Sequence, residues 1–567
     1  MTQTQIEKKK TVRHDLQGIQ ELDLGKYEKL VEERLRKWKE QSFFRRLWSK
    51  DPTIWFPGRV PEITNRLGWL TLPESMPGML GEFVAFAREV KEEGFSKIVL
   101  LGMGGSSLAP EVFGKTFGSA PGFPELVVLD STHPEAICLV EDTLDLPNTL
   151  FIVSSKSGTT LETLSLFRYF WGKVSRINDN PGQNFVAITD EGSSLHKTAQ
   201  ERKFRRVFTP PADVGGRYSA FTDFGLLPAA LIGIDVHRLL DRARIAMENC
   251  AFCVPEAKAS ASVLGAALGE LVRERDKLTI VTSPSLASFP SWLEQLIAES
   301  TGKEGRGIVP VANEPMVSVR LYGKDRMWAF IFLEGDENRK LEGFYKAVKK
   351  AGHPAIRITL KDAYDLGREM YCWEVAVASA GAVIGIHPFN QPDVQLAKDF
   401  TREAMKKVKA FIEEEVADGK AFSLKNINTV NALKELLSFA EPGTYIALQA
   451  YLAPLPEMTE ALQRVRVALL TRKKVATTLG YGPRFLHSTG QLHKGGPNKG
   501  LFLQVIDEPK KDIPVPETDY TFGELIRGQS LGDYRALRQR ERRVVRINAG
   551  DEARDGLNQL AEIINNL

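Results

Sequence analysis

The stretch Ile152-Val-Ser-Ser-Lys-Ser-Gly-Thr-Thr-Leu-Glu-Thr163 decides how this chain folds and what it handles. Leu150 to Val153 is an apolar run that reads as a buried strand, and Leu161 to Trp171 carries apolar residues at helical spacing. The turn between them, Ser155 to Thr160, packs four hydroxyls, one ammonium and one glycine into six residues. A helix N-terminus already offers unpaired backbone N–H groups and a partial positive charge. Ser155, Ser157, Thr159 and Thr160 add donors, Lys156 adds a cation, and Gly158 lets the backbone approach closely. Such a turn suits one phosphate and lacks the arginine cluster or metal ligands expected for a polyphosphate. The plain alternative is an ordinary Ser/Thr-capped helix.

Outward from this unit, strand and helix alternate from about 80 to 235. Apolar runs fall at 98–101, 126–129, 150–153 and 185–188, with helical stretches at 81–93 and 107–117. A second set follows, with strands at 277–282, 328–333 and 355–360 and helices near 256–274, 290–301 and 338–351. Both sets read as parallel sheets covered on both faces, so the fold class is α/β: two tandem doubly wound domains. A ligand should lie where strand C-termini of both face a shared cleft. Residues 1–70 look helical, with a stripe of Tyr27, Leu30, Val31, Leu35 and Trp38. The expected divisions are 1–70, 71–250, 251–405 and 406–567, the last a helical region with a His-bearing Gly/Pro-rich loop at 480–500. In that last region 406–415 and 431–438 read as helix, 501–506 as a strand, and the chain closes on a charged helical tail.

At 567 residues the chain needs several domains, and 43% hydrophobic with 26% charged residues is a globular composition. A net charge of +3 implies no acidic partner. The basic run 535–546 lacks interleaved aromatics and reads as a solvated face or subunit contact, so no nucleic acid is expected. The first ten residues lack the apolar core of a signal peptide. No uncharged apolar segment approaches about 18 residues, so no membrane span and a cytoplasmic location are expected. Four cysteines suggest a reducing compartment, and Cys250-x-x-Cys253 has no second pair at zinc spacing, so no metal is expected.

Five further stretches carry chemistry. Leu100-Leu-Gly-Met-Gly-Gly-Ser-Ser107 runs from a strand into a glycine turn. It fails the dinucleotide pattern at Ser107, and a P-loop ending in Gly114-Lys115-Thr116 fails at Ala109. A backbone-amide nest around Gly105 and Ser106 remains, suited to a sugar or single phosphate. Asp213-Val-Gly-Gly-Arg-Tyr-Ser219 brings the Gly216 backbone and the permanent cation of Arg217 toward a ligand, which suits a developing oxyanion. In Gln295-Leu-Ile-Ala-Glu-Ser-Thr-Gly-Lys303, Gln295 and Glu299 share a helix face, and burial could tune Glu299 as a base. Pro388-Phe-Asn-Gln-Pro-Asp-Val-Gln-Leu-Ala-Lys398 and Leu486-His-Ser-Thr-Gly-Gln-Leu-His493 complete the set, with His387, His487 and His493 in or beside them.

Together these stretches resemble the glucose-6-phosphate isomerase (phosphoglucose isomerase) family of two sugar-isomerase domains. Within it the resemblance is strongest to the isomerase half of transaldolase/phosphoglucose isomerase fusions. The 70 residues ahead of the first domain are too few for a transaldolase barrel, which takes about 200 or more. The resemblance implies interconversion of glucose 6-phosphate and fructose 6-phosphate through a cis-enediolate, without a cofactor or metal. Carried over by motif, Glu299 would be the base, Arg217 would stabilise the enediolate, and Lys398 and His487 would open the ring. Gly105, Ser106, Gly216 and Gln295 would contact the sugar. Ser155, Lys156, Ser157, Gly158, Thr159 and Thr160 would hold the phosphate, with Gln391 nearby. His487 follows the Phe389-Asn-Gln-Pro392 segment, the reverse of the family order, so it is assigned by local motif, with His493 in reserve and His387 third. Asp393 stands where the family signature has a small residue. The family is usually homodimeric. Mannose 6-phosphate as substrate and a non-catalytic phosphosugar sensor are the alternative readings. A sensor, however, has no use for Glu299, Arg217 and Lys398 together.

Overall fold

The computed structural model describes residues 19–567 apart from 59, 252–253, 256–257, 394–399, 401–420 and 425. Lys398, Cys253 and the expected helix at 406–415 lie outside the described residues. Three five-stranded sheets organise the chain. Strand β1 (Gln20–Asp23) comes first, followed by β2 (Lys97–Gly102), β3 (Glu125–Leu129), β4 (Thr149–Ser154), β5 (Phe185–Ile188) and β6 (Arg206–Phe208). Strands β2 to β6 form a parallel sheet in the order β3-β2-β4-β5-β6. Every residue of β4 is buried, as a strand covered on both faces requires.

The second sheet holds β7 (Lys277–Thr282), β8 (Val309–Ala312), β9 (Arg326–Leu333) and β10 (Ala355–Leu360), in the order β1-β10-β9-β7-β8. The N-terminal region, expected to be helical, therefore also contributes β1, which pairs antiparallel with β10. The helix Glu28–Glu40 forms as its stripe predicts, burying Val31, Leu35 and Trp38, while Leu30 stays exposed. Strand β8 escapes the pattern search because it is four residues long and contains Pro310, which only an edge position tolerates. One hydrophobic cluster runs from Leu22 to Phe389 through both sheets' helices, so the two domains share a core.

Region 406–567 holds the helix expected at 431–438 and the strand expected at 501–506, but that strand is one of five. Its helices cover a third parallel sheet of β11 (Phe422–Ser423), β12 (Tyr445–Tyr451), β13 (Ala476–Tyr481), β14 (Gly500–Ile506) and β15 (Arg543–Asn548), ordered β11-β15-β14-β12-β13. The expected loop at 480–500 contains a helical turn at Arg484–His487 and a short helix at Gly490–Gly495. The basic run 535–546 spans the end of the helix Phe522–Gln539 and the start of β15. Its Arg542 and Arg546 are buried: Arg542 donates to the carbonyls of Lys494 and Gly496, and Arg546 to Gln504 and Ser530.

In the first sheet the chain moves from β2 to β3 on one side and to β4 on the other. The carboxyl ends of β2 and β4 therefore flank the topological switch point, where open α/β sheets bind ligands. The Gly104–Ser106 turn leaves β2, and the Ser155–Thr160 turn leaves β4.

Candidate active site

The hydroxyl-rich turn is built for something other than capping. Thr160 occupies the N-cap position of the helix Leu161–Val174 in extended conformation, yet its side chain makes no capping hydrogen bond. Its Oγ1 instead lies 2.9 Å from Ser155 Oγ, and Ser157 Oγ lies 3.0 Å from Thr159 Oγ1. The hydroxyls are paired with one another at the mouth of a helix N-terminus, and Ser157 and Thr159 are exposed. That arrangement leaves donors for an incoming anion and displaces the capped-helix alternative. Gly158 sits at φ +67°, where a Cβ would lie 2.7 Å from the Leu195 amide nitrogen. Lys156 differs from expectation: its ammonium is engaged by Asp190 at 2.7 Å.

The two glycine motifs meet back to back. A Cβ on Gly105 would come within 2.1 Å of the Gly216 carbonyl oxygen, so the turn after β2 and the Gly216–Tyr218 turn can touch only as bare backbone. Ser219 Oγ donates to the Gly105 carbonyl at 3.2 Å, and Ser154 Oγ to that of Ser106 at 3.1 Å.

Arg217 joins the first domain to the second. Its Nε lies 2.9 Å from Glu299 Oε2, and both side chains are almost wholly buried. Its other nitrogens donate to the carbonyls of Pro388 and Asn390 and, at 3.0 Å, to Gln391 Oε1. The guanidinium thus aligns the base candidate with the segment leading toward Lys398. Lys303, which completes the same motif as Glu299, donates to the His387 carbonyl, and burial pushes its ammonium well below the usual lysine range. Asp393 accepts from Gln491 Nε2 at 2.7 Å and from Arg540 at 2.5 Å, tying this segment to the third domain.

The three candidate histidines separate by environment. His493 is buried beside Phe485 and Phe502 with Gln449 Nε2 3.2 Å from its Nδ1, and desolvation pushes it well below the ordinary histidine range. His387 pairs with the Pro61 carbonyl and accepts the Phe389 and Asn390 amides, and burial pushes it down to about 4. Both are buried and held by partners within the fold. His487 keeps 16% side-chain exposure and places Nε2 3.0 Å from Glu162 Oε1.

Glu162 escapes the motif reading, although it stands two residues past the turn. The same oxygen accepts from Gln529 Nε2 at 2.7 Å, and Gln529 Oε1 accepts from Thr132 at 2.8 Å. An acid in a buried position at the head of a helix was the available signal. That position 487 folds onto it could not be read from local pattern. Gln295 Nε2 donates to the His487 carbonyl at 2.8 Å, which brings the third domain against the helix Phe289–Thr301. Hydroxyl turn, Glu162, His487, Gln295 and Glu299 therefore form one contiguous series. It offers an anion cradle, a histidine–carboxylate pair, and a carboxylate beside a fixed cation. Among the described residues, no group of three or more His, Cys, Asp or Glu could hold a metal ion. Nor is any helix among them long and apolar enough to cross a membrane.

A family model described as phosphoglucose isomerase matches residues 86–313. A glucose-6-phosphate isomerase of Prochlorococcus marinus is 30% identical over 375 residues, which is 59% of this chain and 71% of that protein. A probable glucose-6-phosphate isomerase of Methanococcus maripaludis is 28% identical over 365 residues, 58% of this chain and 82% of its own. Among solved structures, a hypothetical protein from Thermus thermophilus superposes with a TM-score of 0.59 at 27% identity, over 67% of this chain and 99% of its own.

Proposed function

The chain belongs to the glucose-6-phosphate isomerase (phosphoglucose isomerase) family, and on that premise we propose that it interconverts glucose 6-phosphate and fructose 6-phosphate. The observation that carries the residue assignments is the contiguous series from the hydroxyl turn through Glu162, His487 and Gln295 to Glu299.

In this reading the Ser155–Thr160 turn holds the 6-phosphate, with Gly105, Ser106, Gly216 and Gln295 around the sugar, while Gln391, expected near the phosphate, meets Arg217 beside Glu299 instead. His487, oriented by Glu162, gives a proton to the ring oxygen while the anomeric hydroxyl gives its proton to the Lys398 amine, and the ring opens. Glu299 then takes the C2 proton of the open-chain aldose, and the electron pair moves onto the carbonyl oxygen to give the enediolate. Arg217, already in contact with Glu299, stabilises that negative charge, the kind of preorganised electrostatic help that dominates many such reactions. Return of the proton to C1, with the hydroxyl proton of O2 passing to O1, gives the ketose.

His487 meets Glu162 within one chain, so this pairing needs no partner subunit. A homodimer, a cytoplasmic location and kinship with the isomerase half of transaldolase fusions belong to the same proposal. The test is a coupled assay of the purified chain with glucose 6-phosphate and, separately, mannose 6-phosphate. Fructose 6-phosphate should form from the first far faster than from the second. Equal rates would reassign the epimer specificity, and no turnover of either would remove the enzyme reading.

A further inference from the structure

A cavity of about 460 Å³ lies where the three sheets converge, and it contains none of the residues assigned above to the isomerase site. It opens at the carboxyl ends of three edge strands, one from each sheet. Val128, Asp130 and Ser131 come from the end of β3, Ala312 and Asn313 from the end of β8, and Leu479 to Gly482 from the end of β13. The volume is that of a small-molecule site.

The lining shows what it would accept. Three acids (Glu111, Asp130, Glu294) face three bases (Lys115, Arg466, Arg484), so the cavity as a whole is near neutral. Its cations are already used. Arg484 binds Glu111 and lies 3.0 Å from Asp130, and Lys115 lies 2.6 Å from Glu111. Arg466 donates to the carbonyls of Thr477, Ala312 and Asn313. A phosphate or carboxylate ligand would find no free cation here.

What stays unsatisfied is different in kind. Glu294 is 8% exposed, lines the cavity, and has no hydrogen-bond or ion-pair partner among the described residues. Burial pushes its carboxyl up to about 7, against the opposing pull of Arg466 and Arg484. Ser288 Oγ and Gln463 Oε1, also on the lining, lack partners as well. A buried carboxyl left unpaired is costly unless something hydrogen-bonds to it. One carboxyl and the hydroxyl of Ser291 on a near-neutral lining match a ligand carrying several hydroxyl groups and no charge.

We propose that this cavity is a second binding site, for a small neutral polyhydroxylated molecule such as a free sugar or sugar alcohol, with Glu294 as its principal hydrogen-bond partner. Glu294 is adjacent in sequence to Gln295 on the helix that carries Glu299, so an occupant would bear on the helix used in isomerisation.

Saturation-transfer NMR on the full chain with D-glucitol as probe tests this, with and without glucose 6-phosphate brought to equilibrium. The expected result is saturable glucitol binding that the phosphosugar does not displace. Glu294→Leu should weaken it about tenfold, and Ser291→Phe, which fills the cavity, should weaken it at least as much. Circular dichroism confirms folding, and should Ser291→Phe misfold, Glu294→Leu carries the comparison alone. No saturable binding, displacement by the phosphosugar, or undiminished binding in the folded variants overturns the proposal.

Discussion

Arg217 and Glu299 come from different domains, yet Arg217 Nε sits 2.9 Å from Glu299 Oε2 with both side chains nearly buried. The pair places a permanent cation beside the carboxylate proposed above as the base. Replacing Glu299 by Gln keeps shape and hydrogen bonding but removes the base. We expect kcat for glucose 6-phosphate to fall by about 10²–10⁴-fold with KM little changed. Near-native turnover by Glu299→Gln would mean another group takes the C2 proton.

His487 and His493 give opposite expectations. His487→Ala removes the partly exposed partner of Glu162, so kcat from the cyclic sugar should drop by about 10²-fold or more while thermal stability holds. His493→Ala instead empties a packed position beside Phe485 and Phe502. It should lower unfolding free energy by about 2–4 kcal/mol and leave kcat of the folded fraction near normal. The assay pairs steady-state kinetics with urea denaturation. If the two variants exchanged behaviours, the ring-opening role would pass to His493.

Much of this was legible in the chain because the signals are local. The runs ending at Leu101, Val153 and Ile188 are buried on both faces and bounded by turn residues, so their strands could be placed to within a residue or two. The turn residues Ser155 to Thr160 lie side by side in sequence and in space. Of the third sheet only the strand at 501–506 was legible. Its strand Ala476–Tyr481 carries two threonines and a glycine, and β15 contains two arginines, one of them buried by its bonds to Gln504 and Ser530. Apolar periodicity is blind to a buried arginine. Nor could pattern show that Lys156 would be claimed by Asp190, or that Gln529 would fold onto Glu162. Those pairings are separated by tens to hundreds of residues, and nothing local encodes them.

Gly158 tests the phosphate turn without touching a charged group. At φ +67° any side chain is strained, and its Cβ would also press on the Leu195 amide. Gly158→Ala should shift the turn and raise KM for glucose 6-phosphate about tenfold or more, with a stability loss of about 1–3 kcal/mol. Inorganic phosphate should likewise inhibit the variant more weakly than the parent. An unchanged phosphate inhibition constant in a folded Gly158→Ala protein would move the phosphate site elsewhere.

Glu374 supplies a test of stability against pH. It lies in the helix Asp365–Ile384, fully buried, with neither carboxyl oxygen partnered, and desolvation alone pushes its carboxyl well above the usual range. The folded chain therefore keeps this proton where the unfolded chain releases it. Above the unfolded value of 4.5 the unfolded state binds fewer protons, so stability falls as pH rises, until the folded group itself ionises. Below that unfolded value the penalty vanishes. Glu374→Gln abolishes this dependence, so its stability relative to the parent should climb by up to about 1.4 kcal/mol per pH unit between roughly pH 5 and 7. Urea unfolding of both proteins at several pH values measures the difference. Two curves that stay parallel across that interval would show that Glu374 ionises in the folded state as readily as in the unfolded one.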